Sequence, residues 1–417
     1  MLSKPAQKKL ALYFSAMIFL HGYVLWQARR SIPEGLPDFS GSYTAGQILR
    51  DGHGSQLYDD VLQESIQRSF SAKAIEKRRT ILPYIHLPYE ALLYAPLAHF
   101  SYLTAYAIWL TVNLALLSSI PFLLRKTLNR LGQAPLYLWL LACFAFFPIF
   151  SALIQGQDSI LLLFLYCATW RSLERGSELA SGAWLALGLY KYQLVVPLVL
   201  AFRRRKKLIA GFLSVAAILG FVSLAITGWH SLLGYPRYLW RTEHDLKYGF
   251  NTLPGLISNL RGLVSGVVPK AHTEIETGLT AVFSAIVLLM MMYAAGKVSA
   301  AGSGRLQPLF ALTLVGTVLV SYHLYVHDLS VLFLAMILVL EMLLSGPPIP
   351  QTTKTVLLVC IALLYCSPLY LVLTLRYNQL RLMAIVLLVF FVGLLSLINS
   401  LRAQTGGTVS PPASAGR

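Results

Sequence analysis

Charge is scarce in this chain. Asp, Glu, Lys and Arg make up 12% of its 417 residues, hydrophobic residues make up 56%, and the mean hydropathy is +0.64. A water-soluble globule needs a more polar surface than that, so solvation by water alone is excluded and lipid must take its place. Acidic residues are rarer still, 17 against 34 Lys and Arg, which leaves a net charge of +17. Such an excess can signal nucleic-acid binding, but here it is confined to the ends of apolar runs: Arg125, Lys126 and Arg130, then Arg203 to Lys207, then Lys297 and Arg305. That is the positive-inside pattern of cytoplasmic loops and argues for no nucleic-acid partner. Cysteine is nearly absent, and Cys143, Cys167, Cys360 and Cys366 all fall in apolar runs, which excludes a disulfide or cysteine–metal framework. The alternating ten-residue pattern of a membrane barrel is missing as well. No small-residue cleavage site follows the first apolar run, so that run is expected to be a retained span.

Long apolar runs are what the chain has instead. Leu10–Leu25, Leu103–Leu124, Leu208–Ile226, Leu279–Met292, Val356–Leu373 and Leu382–Ile398 approach or reach the roughly 20 residues that cross a bilayer as a helix. Backbone amides in hydrocarbon must be bonded within their own segment, so the fold class is all-α, a polytopic integral membrane protein. The charges order the spans. With the N-terminus cytoplasmic, Arg125 to Arg130 return inside, the turn Gln155-Gly156-Gln157-Asp158 lies outside, and Arg171 and Arg175 lie inside. Arg203 to Lys207 should be inside too, yet only Leu179–Phe202 separates them from the previous inside loop. One full span would put them outside. The stretch is therefore expected to be a short broken pair of helices that enters the membrane and turns back near Lys191-Tyr192-Gln193. This gives about twelve transmembrane helices in a single polytopic domain over residues 1–404, with both termini cytoplasmic. Residues 29–99 form a first extracytoplasmic loop with short helices and 229–277 a second, and 405–417 is expected to be a disordered cytoplasmic tail.

Polar residues at span ends are the candidates for chemistry. Asp38 opens the first outside loop in Leu36-Pro37-Asp38-Phe39, directly after a span, where a carboxylate can act on a substrate held by a lipid tail; the alternative is an ordinary turn aspartate. His86, between Tyr84 and Tyr89, suits a phosphate or a sugar hydroxyl, or simply a bonded loop. In Gln155-Gly156-Gln157-Asp158-Ser159 the amides and the carboxylate suit sugar hydroxyls, or a solvated turn. Lys191, flanked by Tyr190 and Tyr192, is an ionisable group inside a membrane segment, and either meets a lipid phosphate or snorkels to the surface. In Ser321-Tyr322-His323-Leu324-Tyr325-Val326-His327-Asp328, two histidines four apart and an aspartate lack a further metal ligand; hydrogen bonding to a phosphate or to a carboxylate is more economical.

Taken in order, Pro37-Asp38-Phe39 with Tyr43, Gly52 with Leu57-Tyr58, His86-Leu87-Pro88-Tyr89, Pro96-Leu97, Trp109, Gly156-Gln157, Lys191-Tyr192, Asn251-Thr252-Leu253-Pro254-Gly255, and His323 with Asp328 resemble the landmarks of glycosyltransferase family 87. The resemblance implies a GT-C type fold that moves a hexose, typically mannose, from a polyprenyl-phosphate donor to a lipid or glycan acceptor at the outer face of a bacterial inner membrane. It also implies inversion, with no nucleotide sugar. Asp38 matches the family's base, and His86, Tyr89, Gln157, Lys191, Tyr192, His323 and Asp328 are the expected substrate-binding residues. Because the leaving group is already a phosphate, neither a metal nor a cofactor is expected. A transporter or lipid flippase is the rival reading.

Overall fold

The computed structural model describes residues 3–244, 254–269, 271–299, 306–345 and 349–406. Asn251, Thr252, Leu253 and Arg305 lie outside the described residues, as does most of the tail, 407–417. In chain order the helices are α1 (Lys4–Ala28), α2 (Phe39–Arg50), α3 (Asp60–Arg78), α4 (Pro88–Ala91), α5 (Tyr102–Leu124), α6 (Leu136–Ala145), α7 (Phe147–Gln155), α8 (Ser159–Glu174), α9 (Glu178–Leu187), α10 (Tyr192–Ala201), α11 (Lys206–His244), α12 (Leu260–Val267), α13 (Thr273–Ser299), α14 (Leu306–Val320), α15 (Leu332–Ser345), α16 (Gln351–Leu364), α17 (Ser367–Leu371) and α18 (Met383–Gly406). No strand occurs among the described residues. The last helix takes in Thr405 and Gly406, which were expected in the tail.

Among the described residues, seven helices are long and apolar enough to cross a membrane, or up to nine if two bent pairs each count as one span. The bent pairs are α6 with α7, at 68°, and α16 with the helix that follows it, at 60°. Each break precedes a proline in the first turn of the second helix, Pro148 and Pro368, where the missing N–H costs no intrahelical bond. The two breaks pack on each other: Phe146 meets Tyr365 with ring centroids 5.1 Å apart, and Phe147 meets Tyr370 at 5.2 Å. His21, the one buried residue of α1, bonds the Phe144 carbonyl at 3.1 Å and the Ser367 hydroxyl at 2.9 Å, fastening the otherwise exposed first helix to both breaks.

The segment 178–201 passes for a single span by length and composition, but geometry divides it. As one straight helix its 24 residues would run about 36 Å. Yet Arg205 pairs with Glu178 at 2.7 Å, and four residues beyond Ala201 reach at most about 14 Å. The chain therefore doubles back at the irregular turn Gly188–Lys191, bringing the starts of α9 and α11 together. Gly182 and Gly211 let these two backbones touch, since a Cβ at Gly182 would fall 1.9 Å from the Leu208 carbonyl and one at Gly211 2.0 Å from that of Leu179. This close approach is what carries Lys191 into the protein.

The first long loop folds into a helical cap. Asp59 caps α3 by accepting from the amides of Val61 and Leu62, at 2.9 and 3.0 Å, and Gln63 and Gln67 on the buried face of α3 bond the backbone of Tyr84 and Leu82. Beyond Gly228 (φ +72°) α11 leaves its membrane half and docks on this cap, with Tyr235 donating to the Ile85 carbonyl at 2.8 Å and Tyr238 to that of Tyr84 at 3.2 Å.

At the opposite, basic end, the buried Glu341 carboxylate accepts from three consecutive amides, those of Asn129, Arg130 and Leu131, at 2.8 to 2.9 Å. These charge-assisted bonds pin the loop after α5 to α15. Glu341→Gln turns an amide N–H towards those donors and is expected to cost roughly 2 kcal/mol. Thermal melting of the detergent-solubilised variant checks this, with an unchanged midpoint counting against the pin.

Candidate active site

Four charged residues stand alone in apolar sequence. Glu90 is the sole Asp, Glu, Lys or Arg between Arg79 and Arg125, Asp158 between Arg130 and Arg171, Lys191 between Glu178 and Arg203, and Asp328 between Arg305 and Glu341. The fold brings all four to one place. Lys191, 3% exposed, sits 2.7 Å from Asp158 Oδ1, 2.5 Å from Asp328 Oδ1 and 2.7 Å from the Ser159 hydroxyl. It donates to Ser159 and Asp328 and forms an ion pair with Asp158. Asp158 Oδ2 lies 3.1 Å from His86 Nδ1, which is 2.6 Å from Glu90 Oε2. The Tyr84 and Tyr94 hydroxyls complete the shell of Glu90 at 3.1 and 3.3 Å.

Charge balance follows from these contacts. Burial disfavours the His86 cation, but the Glu90 and Asp158 carboxylates outweigh it and push its pKa up to about 10, so the ring is protonated at neutral pH. Burial works on Glu90 in the same direction as the Asp158 charge and pushes it up to about 7 against the pull of His86. Burial would raise Asp158 too; Lys191 and His86 prevail and hold it well below the usual carboxylate range. The cluster is thus a nearly compensated set of charges, the condition under which ions persist in a low dielectric.

Asp38 joins this cluster through the α7–α8 turn. Gly156 ends α7 at φ +60°, and a Cβ there would press to 2.8 Å from that of Phe39, so glycine allows the turn to lie against the start of α2. Gln155 Oε1 accepts from the Asp38 amide at 3.2 Å, and Gln157 Nε2 donates to Asp38 Oδ2 at 2.8 Å. Oδ1 of the half-buried Asp38 keeps an accessible surface and has no partner among the described residues. His86 Nε2 is likewise unpartnered among them, so a carboxylate oxygen and an imidazolium N–H are both available to a ligand.

Of the residues singled out in the sequence, Asp38, Gln157, His86, Lys191 and Asp328 thus form one connected set. Tyr89 flanks it, donating to the Leu187 carbonyl at 3.2 Å just before the turn that carries Lys191, and Tyr192 lies 40% exposed on the far side of that turn. The ring of His323 lies edge-on to that of Tyr325, with centroids 4.9 Å apart. His327 Nε2 lies 3.4 Å from Asp328 Oδ2. Sequence reasoning missed Glu90 as the partner of His86, and it read the Asp158 carboxylate as a group for sugar hydroxyls or a solvated turn, whereas here it lies against Lys191 and His86. Their isolation as charges was the available signal for the two carboxylates.

Three groups offer ligand atoms within 4.8 Å of one another, His86, Glu90 and Asp158, and could in principle hold a metal. The ammonium of Lys191, 2.7 Å from Asp158, would oppose a second cation there, and His86 Nδ1 already lies 2.6 Å from Glu90 and 3.1 Å from Asp158. The donor set suits a proton better than a metal.

In comparison with known proteins, the model of glycosyltransferase family 87 matches residues 84–322. The matched stretch contains His86, Glu90, Gln157, Asp158 and Lys191 and stops short of Asp38, His323 and Asp328. No curated protein and no solved structure matches the chain.

Proposed function

The chain belongs to glycosyltransferase family 87, and from that premise we propose that it moves a hexose, mannose being the first to test, from a polyprenyl-phosphate carrier to a lipid or glycan acceptor with inversion, using Asp38 as base. The observation that carries this reading is the bond from Gln157, inside the family-matched stretch, to Asp38 outside it, which aims a carboxylate with one open oxygen beside the buried charges. The acceptor hydroxyl passes its proton to Asp38 Oδ1 as its oxygen bonds to the anomeric carbon. The bond from that carbon to the phosphate oxygen breaks on the opposite side, and its electron pair leaves with the polyprenyl phosphate. The imidazolium N–H of His86 is placed to stabilise the departing phosphate. Lys191, already paired with two carboxylates, acts through Asp158 and Asp328. Gln157 orients the base, and Tyr89, Tyr192 and His323 are proposed contacts to sugar and lipid. The leaving group departs as a phosphate monoester, and this chemistry calls for neither metal nor cofactor.

The topology proposed with it has about twelve helices, reached by adding the shorter α8 and α14 to the nine spans and counting α9 and α10 separately. Both basic loop clusters then share one side, the cytoplasmic one by the positive-inside rule, and Asp38 faces the other side of a bacterial inner membrane. Broken helices in both halves would also suit a transporter, but the breaks at Phe146 and Cys366 pack on each other through aromatic rings.

The test is turnover by purified protein. A polyprenyl-phosphate mannose offered with membrane lipid extract is expected to yield free polyprenyl phosphate and a mannosylated product, and a nucleotide-linked mannose neither. Transfer from the nucleotide sugar alone would overturn the donor assignment.

A further inference from the structure

Arg78 closes α3 and reaches back to the loop that leads into Asp38. Its Nη2 donates to the carbonyls of Gly35 and Leu36, at 2.8 and 2.6 Å, two and three residues before the carboxylate. The loop can approach because Gly35 (φ +79°) lies against Ser71 of the same helix, where a Cβ would fall 2.3 Å from that of Ser71. Nη1 is buried and has no hydrogen-bond partner among the described residues. Beside it, Tyr102 at the start of α5 is 6% exposed, and its hydroxyl too is buried without a partner. The charge of Asp38 acts on both groups, so the two orphan donors and the base share one neighbourhood. No carboxylate among the described residues pairs with Arg78 in contact.

A guanidinium bonded only to neutral carbonyls is an under-compensated cation, and two neighbouring buried donors with no acceptor point to an oxygen anion as the missing partner. Planar, forked donors of this kind match phosphate oxygens well. Lys191, the cation that the sequence alone points to, is already paired with two carboxylates. We propose that Arg78 Nη1 and Tyr102 Oη form a phosphate-binding subsite beside Asp38 that takes the phosphate of a lipid-linked substrate. This rests on the reading of Asp38 as the base of a glycosyl transfer and adds to it the residues that hold an anionic substrate group.

Binding of undecaprenyl phosphate, phosphatidylglycerol and neutral undecaprenol to the full chain in detergent tests it. Wild type is expected to bind at least one phosphate lipid more tightly than undecaprenol. Arg78→Gln should weaken that binding about 10-fold or more, and Tyr102→Phe, which leaves the clamp on Gly35 and Leu36 intact, by about 3- to 10-fold, with undecaprenol unchanged in both. Loss in the undecaprenyl phosphate arm assigns the subsite to the donor, and loss in the phosphatidylglycerol arm assigns it to a phospholipid acceptor; either supports the proposal. Wild-type affinity in a folded Tyr102→Phe and in Arg78→Gln overturns it, as does a wild type that does not discriminate phosphate lipids from undecaprenol. Asp38→Asn should bind the same lipids as wild type. If that variant also turns over normally while Arg78→Gln has lost lipid, the base assignment fails and the subsite stands.

Discussion

Asp38→Asn is expected to lower kcat by roughly 10²- to 10⁴-fold, the range that general-base assistance supplies, with little change in the affinity for the polyprenyl-phosphate donor. The substitution is a clean one for this site. Asparagine has the size of aspartate, its carbonyl can still accept the bond from Gln157 Nε2, and the Asp38 amide can still donate to Gln155 Oε1. The start of α2 and the turn at Gly156 should therefore hold, and the melting temperature should stay near that of wild type. What is lost is the ability of Oδ1 to take a proton. Asp38→Glu keeps the base but pushes it forward by one methylene and out of the grip of Gln157, so an intermediate loss is expected, since misplacement by about 1 Å can cost on the order of 10²-fold. Single-turnover release of polyprenyl phosphate measures both variants. Turnover of Asp38→Asn within about tenfold of wild type would remove Asp38 from the role of base.

The two features that surround Asp38 were not equally legible. Span assignment and the doubled-back segment are sums over neighbouring residues: the apolar run 179–202 is too short for two full spans, and basic clusters at both of its ends demand the same side. The geometry of Glu178 against Arg205 is the physical counterpart of that parity. The site itself depends on pairings that no local pattern encodes. Lys191 meets Ser159 across 32 positions and Asp328 across 137, and Asp38 meets Gln157 across 119. A lysine in a membrane segment invites a ligand as its partner, whereas here the protein supplies two carboxylates. Glu90 stayed hidden for a local reason: Pro88-Tyr89-Glu90 reads as an interfacial turn, and only the short helix α4 makes it the i+4 neighbour of His86. His327 went unassigned because it shares its local pattern with His323 four residues earlier, and only the backbone after Val320 brings it within 3.4 Å of Asp328.

Lys191→Met should produce the second large effect, and on stability first. It leaves Asp158 and Asp328, with side chains 2% and 4% exposed, facing one another without the cation that lies 2.7 and 2.5 Å from them. Breaking a buried ion pair from one side typically costs about 3–5 kcal/mol, because the remaining charge is stranded. Here two charges are stranded, and the cation that remains beside Asp158 is His86. The double variant Lys191→Met/Asp328→Asn removes one of those charges and keeps its shape. It is expected to melt higher than Lys191→Met alone, a non-additivity that a double-mutant cycle in detergent reads directly. Equal melting of wild type and Lys191→Met would mean that the carboxylates are neutral and that the cluster is no ion network. The same pair of variants separates two roles for the lysine. If Lys191 acts through Asp158 and Asp328, the stabilised double variant should keep donor affinity near wild type while losing rate, because the carboxylates it aligned are no longer held. If Lys191 instead grips the donor phosphate itself, affinity should fall in both variants, whatever their stability.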